Sequence, residues 1–404
     1  MQVSQRQLLE DGFILLRQII PPEQLPPLRN AIETLVDRQR EIWARQRRPD
    51  DPAGGQWETG AQPRLSHYQN LIDAGTAATV EAWLRENTLG VSRQLMSVPE
   101  RTGIAGMMLM CSPQRDHGPA AWHRDIHPID MAPLANLQAD LMENGPKYLQ
   151  WNIPLYDDDV LWVVPGSHRR LNSAAENEQL GSDPHRPLPG GVPVKLEAGD
   201  GVVYINYLLH WGSNYSAKLR RTLHGGHTIF PYYQDLDFTR FLAPESRASF
   251  IDWDRKSTAM QDYTERALRA IIAREADAYR AAVEALQPGA GPAGQMVQAI
   301  YLCKAACHIA ILNKPTPDKV PQDLIVRAQN PHSISINWGP QFAARFSPAE
   351  ADLLWRRCST LDARLQADAE HFVPGFQSQP MRYYFESMPT PFGVEDFISS
   401  WGEN

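Results

Sequence analysis

Apolar positions in the first 230 residues switch between a helical period near 3.6 and the alternation of strands, and each switch marks an element. Ser4 to Glu10 reads as a short helix with Ser4 as its N-cap, broken by Gly12. Phe13-Ile14-Leu15-Leu16 follows as a compact apolar strand. Pro21-Pro22-Glu23 opens a long helix in which Leu25, Leu28, Ile32, Leu35, Val36, Ile42 and Trp43 share one face. Arg45 to Arg64 reads as a loop or lid, and Thr79 to Met96 as a second amphipathic helix with Val80, Trp83, Leu84 and Leu95 inward. Ile104 to Cys111 is an expected strand and Ala132 to Asn144 an expected helix. Tyr148 to Leu155 and Leu161 to Val164 are strands on either side of the acidic turn Asp157-Asp158-Asp159. Residues 169–193, rich in Gly and Pro, read as a surface loop. Val194 to Leu196 and Val202 to Asn206 look like a hairpin about Gly199-Asp200-Gly201, the second strand running on to Leu209. A last strand is predicted from Arg221 to Phe230.

Beyond about residue 235 the texture turns helical. Thr258 to Leu286 is alanine-rich and amphipathic, and Gly289-Ala290-Gly291-Pro292 ends it. Gln295 to Asn313 is a more apolar helix. Ser347-Pro348-Ala349-Glu350 has the form of a capped helix start, predicting a third helix to about His371. The expected organisation is a β-rich unit with N-terminal helices over 1–234 and a helical region over 235–404.

Composition narrows the function classes. Hydrophobic residues make up 43% and charged residues 21% of 404, as in ordinary globular chains. A net charge of −8 argues against nucleic acid or an anionic membrane as partner. No run of 18 apolar residues predicts a transmembrane helix, and Met1 to Glu10 lacks the form of a signal peptide, so a cytoplasmic protein is expected. Cys111, Cys303, Cys307 and Cys358 imply no disulfide framework.

The chemistry concentrates at Ala121-Trp122-His123-Arg124-Asp125. On a strand, His123 and Asp125 project from the same face. An imidazole beside a carboxylate supplies two of the three ligands of a facial triad for non-haem Fe(II), which leaves coordination positions open. The third ligand must come from another strand, and His210, at the end of a predicted strand, fits. Eleven residues later stands Arg221, whose planar fork suits the far carboxylate of a dicarboxylic co-substrate. His168 reads as a turn residue, His117 and His127 as loop histidines, and Trp122 and Trp162 as packing. Cys303, Cys307 and His308 are expected to be core groups of one helix. Asp157 to Asp159 reads as a solvated turn, and Arg45, Arg47 and Arg48 are too few for a nucleic-acid surface.

The order Trp-His-Arg-Asp, Val-Val-Pro-Gly-Ser-His, Gly-Asp, His and Arg resembles the phytanoyl-CoA dioxygenase family of Fe(II)/2-oxoglutarate oxygenases. Glu10-Asp11-Gly12-Phe13-Ile14-Leu15-Leu16 resembles its N-terminal strand, and the likeness spans roughly residues 5–233. It implies a double-stranded β-helix (jelly-roll) core within an α+β fold. It also implies Fe(II) on His123, Asp125 and His210, with 2-oxoglutarate and O2 as co-substrates and Arg221 on the C5 carboxylate. Arg220 is the alternative, because a slip of one residue swaps strand faces. Ser216 sits where the family often has a serine near that carboxylate, and Asn152 is a candidate contact to co-substrate or substrate. Related halogenases replace the carboxylate ligand, so Asp125 favours hydroxylation or desaturation, and the expected function is oxidation of a small organic substrate, hydroxylation first. A metal-binding sensor without turnover, or a cupin-like isomerase without 2-oxoglutarate, are the competing readings. The long C-terminal helices are expected to form a lid or a homodimer interface.

Overall fold

The computed structural model describes residues 1–230, 235–314, 322–329, 339–376 and 380–402. Residues 231–234, just before the expected boundary at 235, lie outside them. The chain divides into two compact units. The first holds Met1–Asp125, Pro146–Ile229 and Asp235–Trp253; the second holds Ile126–Gly145 and residues 254 onward.

The first unit is a jelly-roll of two facing antiparallel sheets. Its strands are β1 (Phe13–Leu16), β2 (Arg64–Ser66), β3 (Gly103–Cys111), β4 (Tyr148–Pro154), β5 (Leu161–Val163), β6 (Val192–Pro193), β7 (Gly201–Tyr204), β8 (His210–Gly212) and β9 (Arg221–Thr228). The major sheet runs β1-β7-β4-β9-β3-β2 and the minor sheet β6-β5-β8. A bridge between His123 and His210 adds the metal motif to the edge of the minor sheet. Leu161, Val163, Val194 and Leu196 pack with Val202, Tyr204 and Leu208 in one buried cluster.

Several expectations change here. Val192–Pro193 pairs with β5 and Gly201–Tyr204 with β1 and β4, so the Gly-Asp-Gly turn crosses between sheets instead of closing a hairpin. The Asp200 carboxylate stabilises that crossing by accepting N–H bonds from Gln18 and Glu197. Gly199 sits at φ +89°, where an added Cβ would meet the Ile20 carbonyl oxygen at 2.5 Å. The strand before His210 stops at Tyr204; His210 opens β8. The helix expected over 79–96 breaks into short turns, because the Thr88 hydroxyl bonds the carbonyls of Ala82 and Arg85 in place of a continuous ladder. Residues 169–193 contain a helix, Ala174–Ser182, started by a Ser173/Glu176 capping box.

The outer face of the major sheet packs under the N-terminal helical segments through a buried polar chain. Trp151 Nε1–H donates to Ser92 Oγ, the Ser92 hydroxyl meets His227 Nδ1 at 2.8 Å, and His227 Nε2–H donates to the Trp83 carbonyl. Burial pushes the His227 imidazole down to about 4. The unfolded chain takes up that proton below about pH 6.5 while the fold stays neutral, so stability falls as pH falls from 6.5 towards 4. His227→Gln is expected to remove about 2 kcal/mol from the loss of unfolding free energy between pH 7 and 5, read by urea denaturation. An unchanged pH slope would count against a neutral buried His227.

The second unit is built on the helix Pro292–Leu312, packed against Leu134–Asn144 and Pro348–Leu365. This central helix is buried on nearly all sides, which is why its sequence lacks a polar face. It is long and apolar enough to cross a membrane by length and composition, yet most of it is buried inside the protein. Cys303, Cys307 and His308 lie on it; Cys303 Sγ donates to the Cys358 carbonyl, and His308 pairs with Asp130 at 3.6 Å. The helix expected over 258–286 is two, Pro244–Ala273 and Ala276–Leu286, separated at Arg274 with φ +62°. That expected to reach His371 ends at Leu365, and Gln366–His371 continues as a strand against Met381–Tyr383.

Candidate metal centre

His123 and His210 exchange both backbone hydrogen bonds, at 2.9 and 3.0 Å, which sets their imidazoles side by side with centroids 4.3 Å apart. Asp125, two residues on, is fixed by its N–H to the Asn206 carbonyl and by Asn206 Nδ2 to its own carbonyl. Its Oδ1 lies 3.6 Å from His123 Nε2 and its Oδ2 3.6 Å from His210 Nε2.

The tautomers follow from the other ring nitrogens. His123 Nδ1 faces the Ala121 carbonyl at 2.9 Å and His210 Nδ1 the Leu208 carbonyl at 2.8 Å. A carbonyl only accepts, so both Nδ1 atoms donate, and both Nε2 atoms face Asp125. Burial, then the neighbouring His123, push His210 down to about 4, which keeps it neutral. Two imidazole Nε2 atoms and a carboxylate converge, the donor set of a 2-His-1-carboxylate site. Among the described residues this is the one group of three such side chains close enough to hold a metal ion.

Arg124, between the two motif residues, points to the opposite face and is fully buried. Its guanidinium donates to the carbonyls of Ser167 (2.8 Å), Tyr207 (2.7 Å) and Arg170 and to Asn172 Oδ1, tying the motif to the Pro-Gly-Ser-His turn. Arg124→Met would strand these acceptors. It is expected to cost about 3–5 kcal/mol and to lower metal affinity with it, measured by denaturation with and without metal. A loss under 1 kcal/mol would refute that role. His168 lies in the same turn; it is buried, donates from Nε2 to the Leu9 carbonyl and does not face the metal motif. Trp122 stacks on Trp211, and Trp162 meets Trp211 edge-on, so these rings are packing.

The major sheet supplies the facing wall. The register places Tyr204, Gln150, Asn152, Thr222 and His224 on one face, towards the triad. Gln150 Nε2 donates to Asp125 Oδ2 (3.0 Å) and to the Tyr204 hydroxyl (2.9 Å), orienting the carboxylate. Asn152 Oδ1 accepts from His224 Nδ1 at 2.6 Å. Sequence reasoning singled out Asn152 but missed Gln150, two residues before it on the same face, as well as Tyr204 and His224.

Arg221 is corrected. It lies on the outer face of β9, where Glu33 takes its Nε and Nη2 at 2.8 and 3.0 Å and Trp57 lies beneath it. Arg220, one residue earlier, has the parity of Thr222 and His224 and takes the inner side. Its Nε donates to Asp158 Oδ2 at 2.6 Å, and its Nη1 is buried with no partner among the described residues. Asp158 is therefore no solvated turn residue. It is buried, accepts from Thr222 as well, and against the cost of burial the Arg220 charge holds its carboxyl below the usual range. Ser216 lines the same cleft as Arg220.

A sequence profile described as phytanoyl-CoA dioxygenase matches residues 8–222, more than half of the chain. The chain belongs to the phytanoyl-CoA dioxygenase family. It is a non-haem iron, 2-oxoglutarate-dependent dioxygenase with a jelly-roll core. No curated protein matches the full sequence. Among solved structures, AviO1 from Streptomyces viridochromogenes Tue57 is 22% identical over 56% of this chain and 93% of its own, with TM-score 0.39. EvdO2 from Micromonospora carbonacea var. aurantiaca, complexed with 2-oxoglutarate, is 17% identical over 56% of this chain and 92% of its own, TM-score 0.38. HygX from Streptomyces hygroscopicus, with nickel and 2-oxoglutarate bound, is 14% identical over 56% and 87%, TM-score 0.39.

Proposed function

We propose that this dioxygenase hydroxylates a small organic substrate, with Fe(II) on His123, Asp125 and His210 and the far carboxylate of 2-oxoglutarate on Arg220. The observation that carries this reading is the pair of histidine Nε2 atoms facing the Asp125 carboxylate at 3.6 Å. With Fe(II) and 2-oxoglutarate bound, the centre supplies oxidative decarboxylation to succinate coupled to oxidation of a substrate C–H bond.

The chain's own groups have three tasks in this reading. The carbonyls of Ala121 and Leu208 hold each imidazole in the tautomer that donates from Nε2. Gln150 keeps the Asp125 carboxylate turned. Arg220 offers its buried Nη1 to an anion, held in place by Asp158 through Nε, and Ser216 adds a hydroxyl in the same cleft. Asn152 and His224 then line the wall between co-substrate and substrate.

A secondary-metabolite scaffold or amino acid fits an acidic chain better than a polyanionic nucleotide thioester. The same reading treats residues 1–234 as the oxygenase core and 235–404 as a helical region able to form a homodimer, in a cytoplasmic protein. Succinate release from 2-oxoglutarate, lost in His210→Ala, tests the assignment. Release that persists in that variant would contradict it.

A further inference from the structure

The inner face of the major sheet carries one more charge, which neither iron nor co-substrate uses. Arg64 lies on the edge strand β2 opposite Met110, which lies opposite Thr222, so Arg64 shares the face of Thr222 and His224. Its Nε donates to Gln62 Oε1 at 2.8 Å and its Nη2 to the same oxygen, while Gln62 Nε2 rests on Met110 Sδ at 3.4 Å. Arg64 is exposed, at the open edge of that face. Burial and then the Arg64 charge push His224 down to about 3.

Among the described residues the side-chain partner of Arg64 is a neutral amide, and the exposed guanidinium is otherwise open to solvent. The other arginines on this sheet differ: Arg220 meets Asp158 and Arg221 meets Glu33. On the same face half-buried Met108 and, beneath Gln62, buried Met110 supply polarisable apolar side chains. We propose that Arg64, presented by Gln62, recognises an anionic group of the substrate, a carboxylate on an apolar body that lies along Met108 and Met110. A planar fork with donors still free forms charge-assisted bonds to such a group. The inference rests on the oxygenase reading and names the substrate class for that site.

The test uses protein loaded anaerobically with Fe(II) and 2-oxoglutarate, titrated with 4-phenylbutyrate and with its methyl ester. Binding is read from tryptophan fluorescence, and the co-substrate from the visible absorption of its iron chelate. The acid is expected to bind about tenfold or more tightly than the ester in wild type. That ratio should fall to near one in Arg64→Met and recover partly in Arg64→Lys, with the 2-oxoglutarate midpoint unmoved. An equal response to acid and ester in wild type, including none from either, would overturn the proposal. So would a raised 2-oxoglutarate midpoint in Arg64→Met, which would assign Arg64 to the co-substrate. A wild type without the chelate absorption would fault the co-substrate reading instead, and the acid-to-ester ratio from fluorescence would still decide Arg64.

Discussion

Asp125→Ala is expected to abolish turnover and to weaken Fe(II) binding by well over about 100-fold. Losing a group that merely orients a metal ligand costs roughly 10–100-fold, and here the charged ligand itself goes. The two neutral imidazoles would remain, held by Ala121 and Leu208, but nothing would balance the charge of a divalent ion between them. Equilibrium dialysis against Fe(II) under nitrogen measures the loss. The fold should survive, because Asp125 is partly exposed and its backbone bonds to Asn206 do not involve the carboxylate. A folded Asp125→Ala protein that binds Fe(II) within a factor of about ten of wild type would mean the metal sits elsewhere.

The second large effect separates two adjacent arginines. Arg220→Met is expected to raise the KM for 2-oxoglutarate about 30- to 1000-fold, as removal of one partner from a buried charged pair costs roughly 2–4 kcal/mol. Part of that cost falls on the fold, since Asp158 loses its counter-ion and still has to accept from Thr222 and the Val160 N–H. Arg220→Lys, which keeps the charge without the fork, should recover part of the affinity. Arg221→Met is expected to leave the 2-oxoglutarate KM within about threefold of wild type and to lower stability instead, because its partners are Glu33 and Trp57. The reverse pattern would restore Arg221 to the site.

These arginines also mark how far the sequence could be read. The convergence of His123, Asp125 and His210 was legible because period-two spacing puts the first two on one face whatever the rest of the barrel does, and His210 needed only to sit on the neighbouring strand. Arg220 and Arg221 share one strand, and the face each takes depends on the register of β9 against β3 and β4, which no local pattern states. Asp158 looked like a turn residue for the same reason: its partner is 62 residues away. The Gly199-Asp200-Gly201 turn was recognised as a turn, but the strands it joins enter different sheets because each pairs with partners distant in sequence. Within 79–96 the apolar period was real, and Trp83 and Leu95 are buried as it predicts. The continuous helix was not, since Thr88 offered the backbone a local alternative. Gln150 was within reach of the same alternation that drew attention to Asn152.

The most direct test of the central claim is anaerobic titration of the metal-free protein with Fe(II) and 2-oxoglutarate, followed by visible absorption. The account predicts a weak metal-to-ligand charge-transfer band at one equivalent of each, absent in His123→Ala. Iron binding without that band would contradict the co-substrate assignment, and no iron binding at all would contradict the metal centre.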